Sequence, residues 1–269
     1  MIGKIPLSLT YLERQKIKNE SLGLCEPSGV AMSQAKNELW IVSDDTKKVF
    51  KLTSEGKLVK DKSFKIPEKG LEGIVLEPNG KFLLAIKEEN NLIIRINIDS
   101  EKITDSNKLE SMENYNEIAH FFTETQVNKG LEGIAWNQKT GTIFVVKEGN
   151  PGLLIEISAD LNSIISYELL NEQNGFYDNK LSSEEIDFSG ICYDLLRNCF
   201  WLVSDRAKRL FLYNWEIKNV IQSFKLGYSQ KGEYRKIKKA EGVTIARDSK
   251  QLYIVSDLEA MLYVFDVRE

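Results

Sequence analysis

A short segment recurs five times along the chain and limits its fold more than any other feature. The last copy reads Ala240-Glu241-Gly242-Val243-Thr244-Ile245-Ala246, followed by a polar turn and then Gln251-Leu252-Tyr253-Ile254-Val255. The other copies are centred on Gly29, Gly73, Gly133 and Gly190. Two apolar runs joined by a short polar turn predict an antiparallel hairpin. A hairpin that recurs about every fifty residues is typical of a β-propeller.

Further apolar runs supply two more strands in four of the five repeats, and four strands per blade is the propeller pattern. In the first blade a turn is predicted at Lys36 and Asn37, and in the second the outer strand is predicted at 117–124, after a polar excursion at 99–116. The fifth blade is one strand short. Because folded proteins avoid open edge strands, we expect residues 11–19 to pair beside 262–267 and close the ring.

The predicted fold is therefore all-β, a five-bladed β-propeller of four-stranded antiparallel blades closed by the N-terminal strand. We expect one domain over residues 1–269, with the closing segment in 1–21 and blades that begin near residues 27, 71, 131, 188 and 240. Eleven residues after each glycine stands a large apolar residue, which we expect to fill the wedge between blades rather than to stack on a substrate. These residues are Trp40, Leu84, Phe144, Trp201 and Tyr253. The glycines themselves are expected to permit close backbone approach near the axis.

Composition excludes several classes of protein. The chain is 42% hydrophobic and 28% charged, with a formal net charge of -4, whereas general nucleic-acid binders usually carry a basic surplus. It contains no apolar run of about 18 residues, so no transmembrane helix is predicted, and its start lacks the apolar core of a signal peptide. Three cysteines in 269 residues do not make a disulfide framework. We expect a monomer.

The residue before each glycine separates the blades into two kinds. It is Ser28 and Ser189 in blades 1 and 4, but glutamate in blades 2, 3 and 5. Fifteen residues later, the glutamates of blades 2 and 3 are predicted to face lysines, as cross-strand ion pairs. These pairs are Glu72–Lys87 and Glu132–Lys147. Glu241 is predicted to face Ser256 instead. Because a buried charge without a partner is costly, Glu241 is expected to need another cation.

Calcium is the cation that fits these residues, because Ca²⁺ takes six to eight oxygen ligands. We therefore predict metal ligands at Glu241, Glu132 and Glu72, together with backbone carbonyl groups. A soft transition-metal site would require histidine or cysteine clusters, and the single histidine, His120, falls in the predicted outer strand of blade 2.

An acidic residue also follows each hairpin, fifteen positions after the glycine: Asp44, Glu88, Glu148, Asp205 and Asp257. Five copies of one feature favour an architectural role, in which a carboxylate at a strand end accepts hydrogen bonds from backbone N–H groups. A cluster of catalytic acids is the alternative. No nucleophilic triad is predicted.

Two long connections, 171–186 and 226–239, both precede an inner strand and are predicted to lie on the same face. Long connections are often functional, so we expect a small molecule or a protein to bind on this face. The second connection carries five basic residues, which either contact an anion or are simply solvated. They are Lys231, Arg235, Lys236, Lys238 and Lys239.

The repeats resemble the bacterial SdiA-regulated family over about residues 22–267. The resemblance rests on Glu26-Pro27-Ser28-Gly29, Leu131-Glu132-Gly133-Ile134-Ala135-Trp136, Val146-Lys147-Glu148-Gly149-Asn150-Pro151 and Ala240-Glu241-Gly242-Val243, in this order and spacing. It implies a five-bladed propeller distantly related to NHL-repeat proteins, a calcium site in some members and association with the bacterial cell envelope, periplasmic or membrane-associated. The calcium ligands that it implies are Glu132 and Glu241 and, by a weaker match, Glu72.

Three functions are compatible with these observations. The first is a calcium-binding module or scaffold without a known ligand, and we favour it over an enzyme. The second is a calcium-dependent hydrolase of a phosphoester, as in phytase-like proteins, or of a lactone. In that case Glu241 holds the metal and Asp257 or Asp205 activates water. The third is a protein-interaction platform built from the two long connections. Metal-dependent turnover would distinguish the second function from the others.

Overall fold

A computed structural model describes residues 6–33, 38–122 and 129–269 of the protein. In these residues, the strands form five four-stranded antiparallel sheets and one separate hairpin. The first strands of neighbouring sheets contact one another around a central axis. The sheets are therefore the five blades of a propeller, as the repeats predict.

The strands have the following bounds. The N-terminal strand is β1 (Ser8–Lys16). Blade 1 contains β2 (Pro27–Met32), β3 (Glu38–Ser43), β4 (Lys48–Thr53) and β5 (Phe64–Lys65). Blade 2 contains β6 (Leu71–Leu76), β7 (Phe82–Lys87), β8 (Leu92–Asn97) and β9 (Lys102–Lys108). Blade 3 contains β10 (Leu131–Asn137), β11 (Thr142–Lys147), β12 (Gly152–Ile157) and β13 (Ile164–Leu170). Blade 4 contains β14 (Gly190–Asp194), β15 (Cys199–Ser204), β16 (Arg209–Asn214) and β17 (Asn219–Lys225). A hairpin of β18 (Gly227–Gln230) and β19 (Glu233–Lys236) follows, and blade 5 contains β20 (Ala240–Ile245), β21 (Gln251–Ser256) and β22 (Met261–Arg268).

The N-terminal strand completes blade 5. Strand β1 pairs antiparallel with β22, with Ser8 opposite Arg268 and Lys16 opposite Met261. The predicted closure of the ring is confirmed, although the strand begins and ends three residues earlier than expected. The β18–β19 hairpin packs on this junction, where the rings of Tyr228 and Tyr11 lie 4.7 Å apart.

Five hydrophobic clusters fill the wedges between neighbouring blades. Each cluster contains one of the predicted apolar residues, and all five of them are at most 3% exposed. Their burial removes large apolar surfaces from water, which stabilises the contact between blades. The predicted packing role of this position is confirmed.

The glycine of each inner strand lies where neighbouring blades approach most closely. A Cβ atom on Gly190 would lie 2.2 Å from the Glu241 carbonyl oxygen, and one on Gly29 would lie 2.4 Å from that of Glu72. Real Cβ atoms do not come this close to backbone. The five glycines thus form a narrow ring around the axis, which we call the glycine neck.

Two predictions about the periphery need correction. The outer strand of blade 2 is β9, inside the predicted polar excursion, whereas 115–121 forms two short 3-10 turns that include His120. Strand β9 is polar because most of its side chains are exposed at the edge of the blade. The second long connection is mostly the β18–β19 hairpin. The predicted turn at Lys36 and Asn37, residues 1–5 and residues 123–124 lie outside the described residues.

The described residues contain no helix long and apolar enough to cross a membrane.

Candidate metal centre at the acidic end of the axis

In blades 1 and 4, the residue before the glycine is a serine that connects neighbouring blades at one end of the axis. The Ser28 hydroxyl donates a hydrogen bond to the Leu71 backbone oxygen at 2.6 Å. In blade 4, the Ser189 hydroxyl donates to the Ala240 backbone oxygen at 2.7 Å. Each serine therefore links its blade to the next one around the ring.

The same position in blades 2, 3 and 5 carries a carboxylate, which cannot donate such a bond when ionised. Burial among protein atoms raises the pKa of Glu72 and of Glu241 to about 8, and neighbouring carboxylates contribute to both shifts. Burial also raises the pKa of Glu132 well above its usual value, with further contributions from Glu72 and Glu241. The three predicted ligands therefore act on one another across the axis. We call this end of the axis the acidic mouth.

The tightest group of carboxylates in the acidic mouth contains only one of the predicted ligands. Carboxylate oxygens of Glu88, Glu132 and Glu148 lie within 4.8 Å of one another. Glu88 follows the end of β7 and Glu148 follows the end of β11, so both stand at the mouth end of a second strand. A β-bulge between Leu131 and Gly133 takes Glu132 out of the ladder with β11.

The hydrogen bonds of this group are incomplete. Glu88 Oε1 accepts a hydrogen bond from the Gly130 backbone N–H at 3.2 Å. Glu148 Oε2 is buried, and within the described part of the chain it has no hydrogen-bond partner. Burial raises the pKa of Glu148. A buried carboxylate oxygen without a donor is costly, and either a proton or a cation would remove that cost.

The predicted facing of glutamate and lysine is wrong in both blades. Bulges in the inner strands place Lys87 opposite Leu71 and Lys147 opposite Leu131. Lys87 Nζ lies 3.1 Å from Glu68 and 3.4 Å from Glu89 instead. Lys147 donates to the Gly149 backbone oxygen at 2.5 Å, and burial lowers its pKa to about 8.

Four of the five acids at the strand ends fall into two groups, whereas Asp44 has a buried Oδ1 without a hydrogen-bond partner among the described residues and a pKa that burial raises. Asp205 accepts the Ala240 backbone N–H at 2.9 Å and forms an ion pair with Lys208, which confirms an architectural role there. Asp257 forms an ion pair with Lys239. Each acid expected to activate water in a hydrolase therefore has a lysine partner. Glu88 and Glu148, in contrast, join Glu132.

Residues 10–266 match the SdiA-regulated family. The chain belongs to this family. The match includes the inner strands, the glycine neck and every carboxylate of the acidic mouth.

Solved structures similar to this SdiA-regulated chain are propellers of low sequence identity. Virginiamycin B lyase from Staphylococcus aureus is 10% identical with a TM-score of 0.54, and the match covers 97% of this chain and 99% of the lyase. A chain of the nidogen/laminin complex is 14% identical with a TM-score of 0.50, covering 86% of this chain and 72% of that one. A streptogramin B lyase structure is 15% identical with a TM-score of 0.46. That match covers 90% of this chain, and this chain spans 65% of the length of the streptogramin B lyase chain. At these identities the likeness shows the fold alone.

One sequence signal separates the cluster from the other strand-end acids of this SdiA-regulated chain. The acid is glutamate in blades 2 and 3 but aspartate in blades 1, 4 and 5. The extra methylene group lets Glu88 and Glu148 reach the level of Glu132. All three residues offer hard carboxylate oxygens, the donor type that Ca²⁺ takes in proteins. The cluster therefore fits calcium better than zinc, which prefers histidine and cysteine.

Proposed function

We propose that the protein binds Ca²⁺ in the acidic mouth through Glu88, Glu132 and Glu148 and acts as a metal-dependent binding module. The close approach of three carboxylates supports this proposal most directly, since their oxygens lie within 4.8 Å of one another. A cation bonded to all three would also give the buried Glu148 Oε2 a partner. Glu72 and Glu241 add negative charge beside the cluster.

The charge balance of the acidic mouth supports a bound cation. Lys239 is the basic group that lowers the pKa of both Glu72 and Glu241, and it already pairs with Asp257. The pKa of each glutamate nevertheless rises to about 8. Without a metal, these carboxyl groups therefore keep protons near neutral pH. A divalent cation would replace the protons and stabilise the ionised carboxylates.

The number of ligands indicates an open site. Three carboxylates supply three to six oxygens, whereas Ca²⁺ takes six to eight at flexible angles. Positions on the metal are thus left for water or for oxygen atoms of a ligand. The ligand would approach from the face that carries 171–186 and 226–239, which is the face of the acidic mouth. The family resemblance supports a role at the bacterial cell envelope.

Thermal unfolding in chelator and in millimolar Ca²⁺ tests the metal site. A ligand that binds only the folded state adds RT ln(1 + [L]/Kd), or about 2.7 kcal/mol at a hundredfold excess over Kd. We expect calcium to raise the melting temperature of the wild type and Glu132→Gln to abolish most of that rise. Glu241→Gln and Glu72→Gln should reduce it in part.

Glu110→Gln is the matched control, because Glu110 is an exposed residue whose carboxylate lies 3.3 Å from Lys108 at the periphery. Its response to calcium should equal that of the wild type. An equal rise in melting temperature with calcium in Glu132→Gln and in the wild type would rule out the proposed site. A panel of phosphoesters and lactones, assayed with and without Ca²⁺, separates the binding module from a hydrolase. Calcium-dependent turnover in that panel would establish the hydrolase instead.

A further inference from the structure

The end of the axis opposite the acidic mouth is an open cavity with both apolar and polar surface, which we call the funnel. Its wall contains three consecutive residues from each inner strand: 30–32, 74–76, 134–136, 191–193 and 243–245. Most of these side chains are aliphatic, and Trp136 and Tyr193 add aromatic surface. The funnel has a volume of about 370 Å³. This volume lies within the range of roughly 300–1,000 Å³ that is typical of concave small-molecule sites.

The glycine neck closes the floor of the funnel. The space between the five glycines is about 10 Å³, no more than one water molecule requires. A molecule in the funnel is therefore separated from the acidic mouth, and the two ends of the axis can bind different ligands independently.

The rim of the funnel combines apolar surface with a positive charge. Among the described residues that line the funnel, Arg247 is the charged one, and it stands in the turn between β20 and β21. Leu195 lines the same rim and is 47% exposed, so the apolar wall continues onto the outer surface. A guanidinium group beside a cavity whose wall is partly apolar suits a molecule that has an apolar body and an anionic group.

A buried polar network supports the turn that carries Arg247. Asp194 is fully buried and accepts hydrogen bonds from Ser249 Oγ at 2.5 Å and from Arg197 Nη1 at 2.8 Å. Arg197 Nη1 also donates to the Ser249 backbone oxygen at 3.0 Å. These bonds fix the rim of blade 5 against that of blade 4. Rigid support from a second layer of hydrogen bonds is what a precise binding site requires.

The geometry points to a second binding site, in which the funnel binds a compact molecule with two or three rings and one anionic group. The rings lie against the apolar wall and the anionic group lies at Arg247. The size follows from the volume, because a cavity of roughly 150 Å³ holds one benzene molecule. Calcium has no part in this site.

Two fluorescent probes with the same ring system test the site. The probe 8-anilino-1-naphthalenesulfonate carries a sulfonate, and N-phenyl-1-naphthylamine does not. In the calcium-free wild type, fluorescence titration is expected to show one site for each probe. Arg247→Gln should weaken the binding of the sulfonate probe by roughly tenfold and leave the affinity for the uncharged probe unchanged. Val75→Trp, which places an indole in the funnel, should weaken the binding of both probes by at least tenfold.

Arg268→Gln is the matched control, since Arg268 is an exposed arginine on β22 that pairs with Asp266. It should bind both probes as the wild type does. Circular dichroism reports whether Val75→Trp is folded, and Ala246→Trp at the rim is the second blocking variant. Probe affinities that are the same in the wild type and the blocking variants would overturn the funnel site. An equal effect of Arg247→Gln on both probes would overturn the assignment of the anion. Because no calcium is present, neither result depends on the metal site.

Discussion

Blades 1 and 4 differ from blades 2, 3 and 5 at the residue before the glycine of the inner strand. In the serine blades, a hydroxyl closes a hydrogen bond of 2.6 or 2.7 Å onto the next blade. In the glutamate blades, a partly buried carboxyl group stands at the same level with a raised pKa. The serines complete the ring. The glutamates bring charge to the axis without completing anything in the fold.

The difference teaches where to look for function. A fold that needed only closure would use serine five times, because each serine supplies a bond that the backbone lacks. Three glutamates instead place partly buried acidic groups around a narrow axis, at a cost in stability. Costly local arrangements of this kind are typical of functional sites. Comparison of equivalent residues in different blades thus separates structural positions from the candidate site without reference to another protein.

The pH dependence of stability should show the largest difference between the two kinds of blade. An acid whose folded pKa is raised stabilises the fold at low pH, and this stability is lost as the pH rises towards the folded pKa. For Glu72 and Glu241 this window runs from the usual value of 4.5 to about 8. In chelator, we expect each glutamate to lower the free energy of unfolding by on the order of 1.4 kcal/mol per pH unit within that window.

Urea unfolding of the wild type and of Glu72→Gln/Glu241→Gln between pH 5 and 8 measures this effect. The double variant removes both groups, so the difference between the two proteins isolates their contribution from that of other acids. This difference in the free energy of unfolding should increase steadily with pH, because the wild type loses stability relative to the variant. Parallel pH profiles would show that neither glutamate carries a raised pKa.

Conversion of a serine blade into a glutamate blade should have the next largest effect on the stability of the fold. Ser189→Glu removes the bond to the Ala240 oxygen and adds a fourth carboxylate, so we expect a loss of about 3–5 kcal/mol in chelator. Ser189→Ala removes only the bond and should cost about 1–3 kcal/mol. Calcium should recover part of the loss in Ser189→Glu and none in Ser189→Ala. Equal stabilities of the two variants in chemical denaturation would contradict the comparison.

Lys87→Ala should have the smallest effect. Lys87 pairs with the partly and strongly exposed carboxylates of Glu68 and Glu89, and ion pairs of this kind contribute roughly 0–1 kcal/mol. The rise in melting temperature with calcium should be the same as in the wild type. A loss of about 3–5 kcal/mol would instead indicate a buried pair with Glu72.

The sequence predicts the ring better than the site for a physical reason. Repeated features such as the glycines and Trp201 occupy equivalent places in every blade, so each copy supports the interpretation of the others. Strand β9 is missed because an exposed outer strand carries little apolar alternation. The cluster of Glu88 and Glu148 with Glu132 depends on a bulge at 131–133. A bulge shifts which side chains face each other, and its one signal in the sequence is the isolated glycine of each copy, which is interpreted from the sequence only as a point of close backbone approach.

Ring closure by β1 has a consequence for synthesis of the chain. Strand β1 is the first strand of the ring to leave the ribosome, and its partner β22 is the last strand of the ring to be made, more than two hundred residues later. At about 5–20 residues per second, roughly ten seconds to a minute pass before the two can meet. Throughout this interval β1 is a strand without a sheet. Its polar stretch of Glu13, Arg14, Gln15 and Lys16 keeps it hydrated, and charged residues discourage pairing with the wrong edge. The polarity of the closing strand therefore protects the nascent ring until β22 is made.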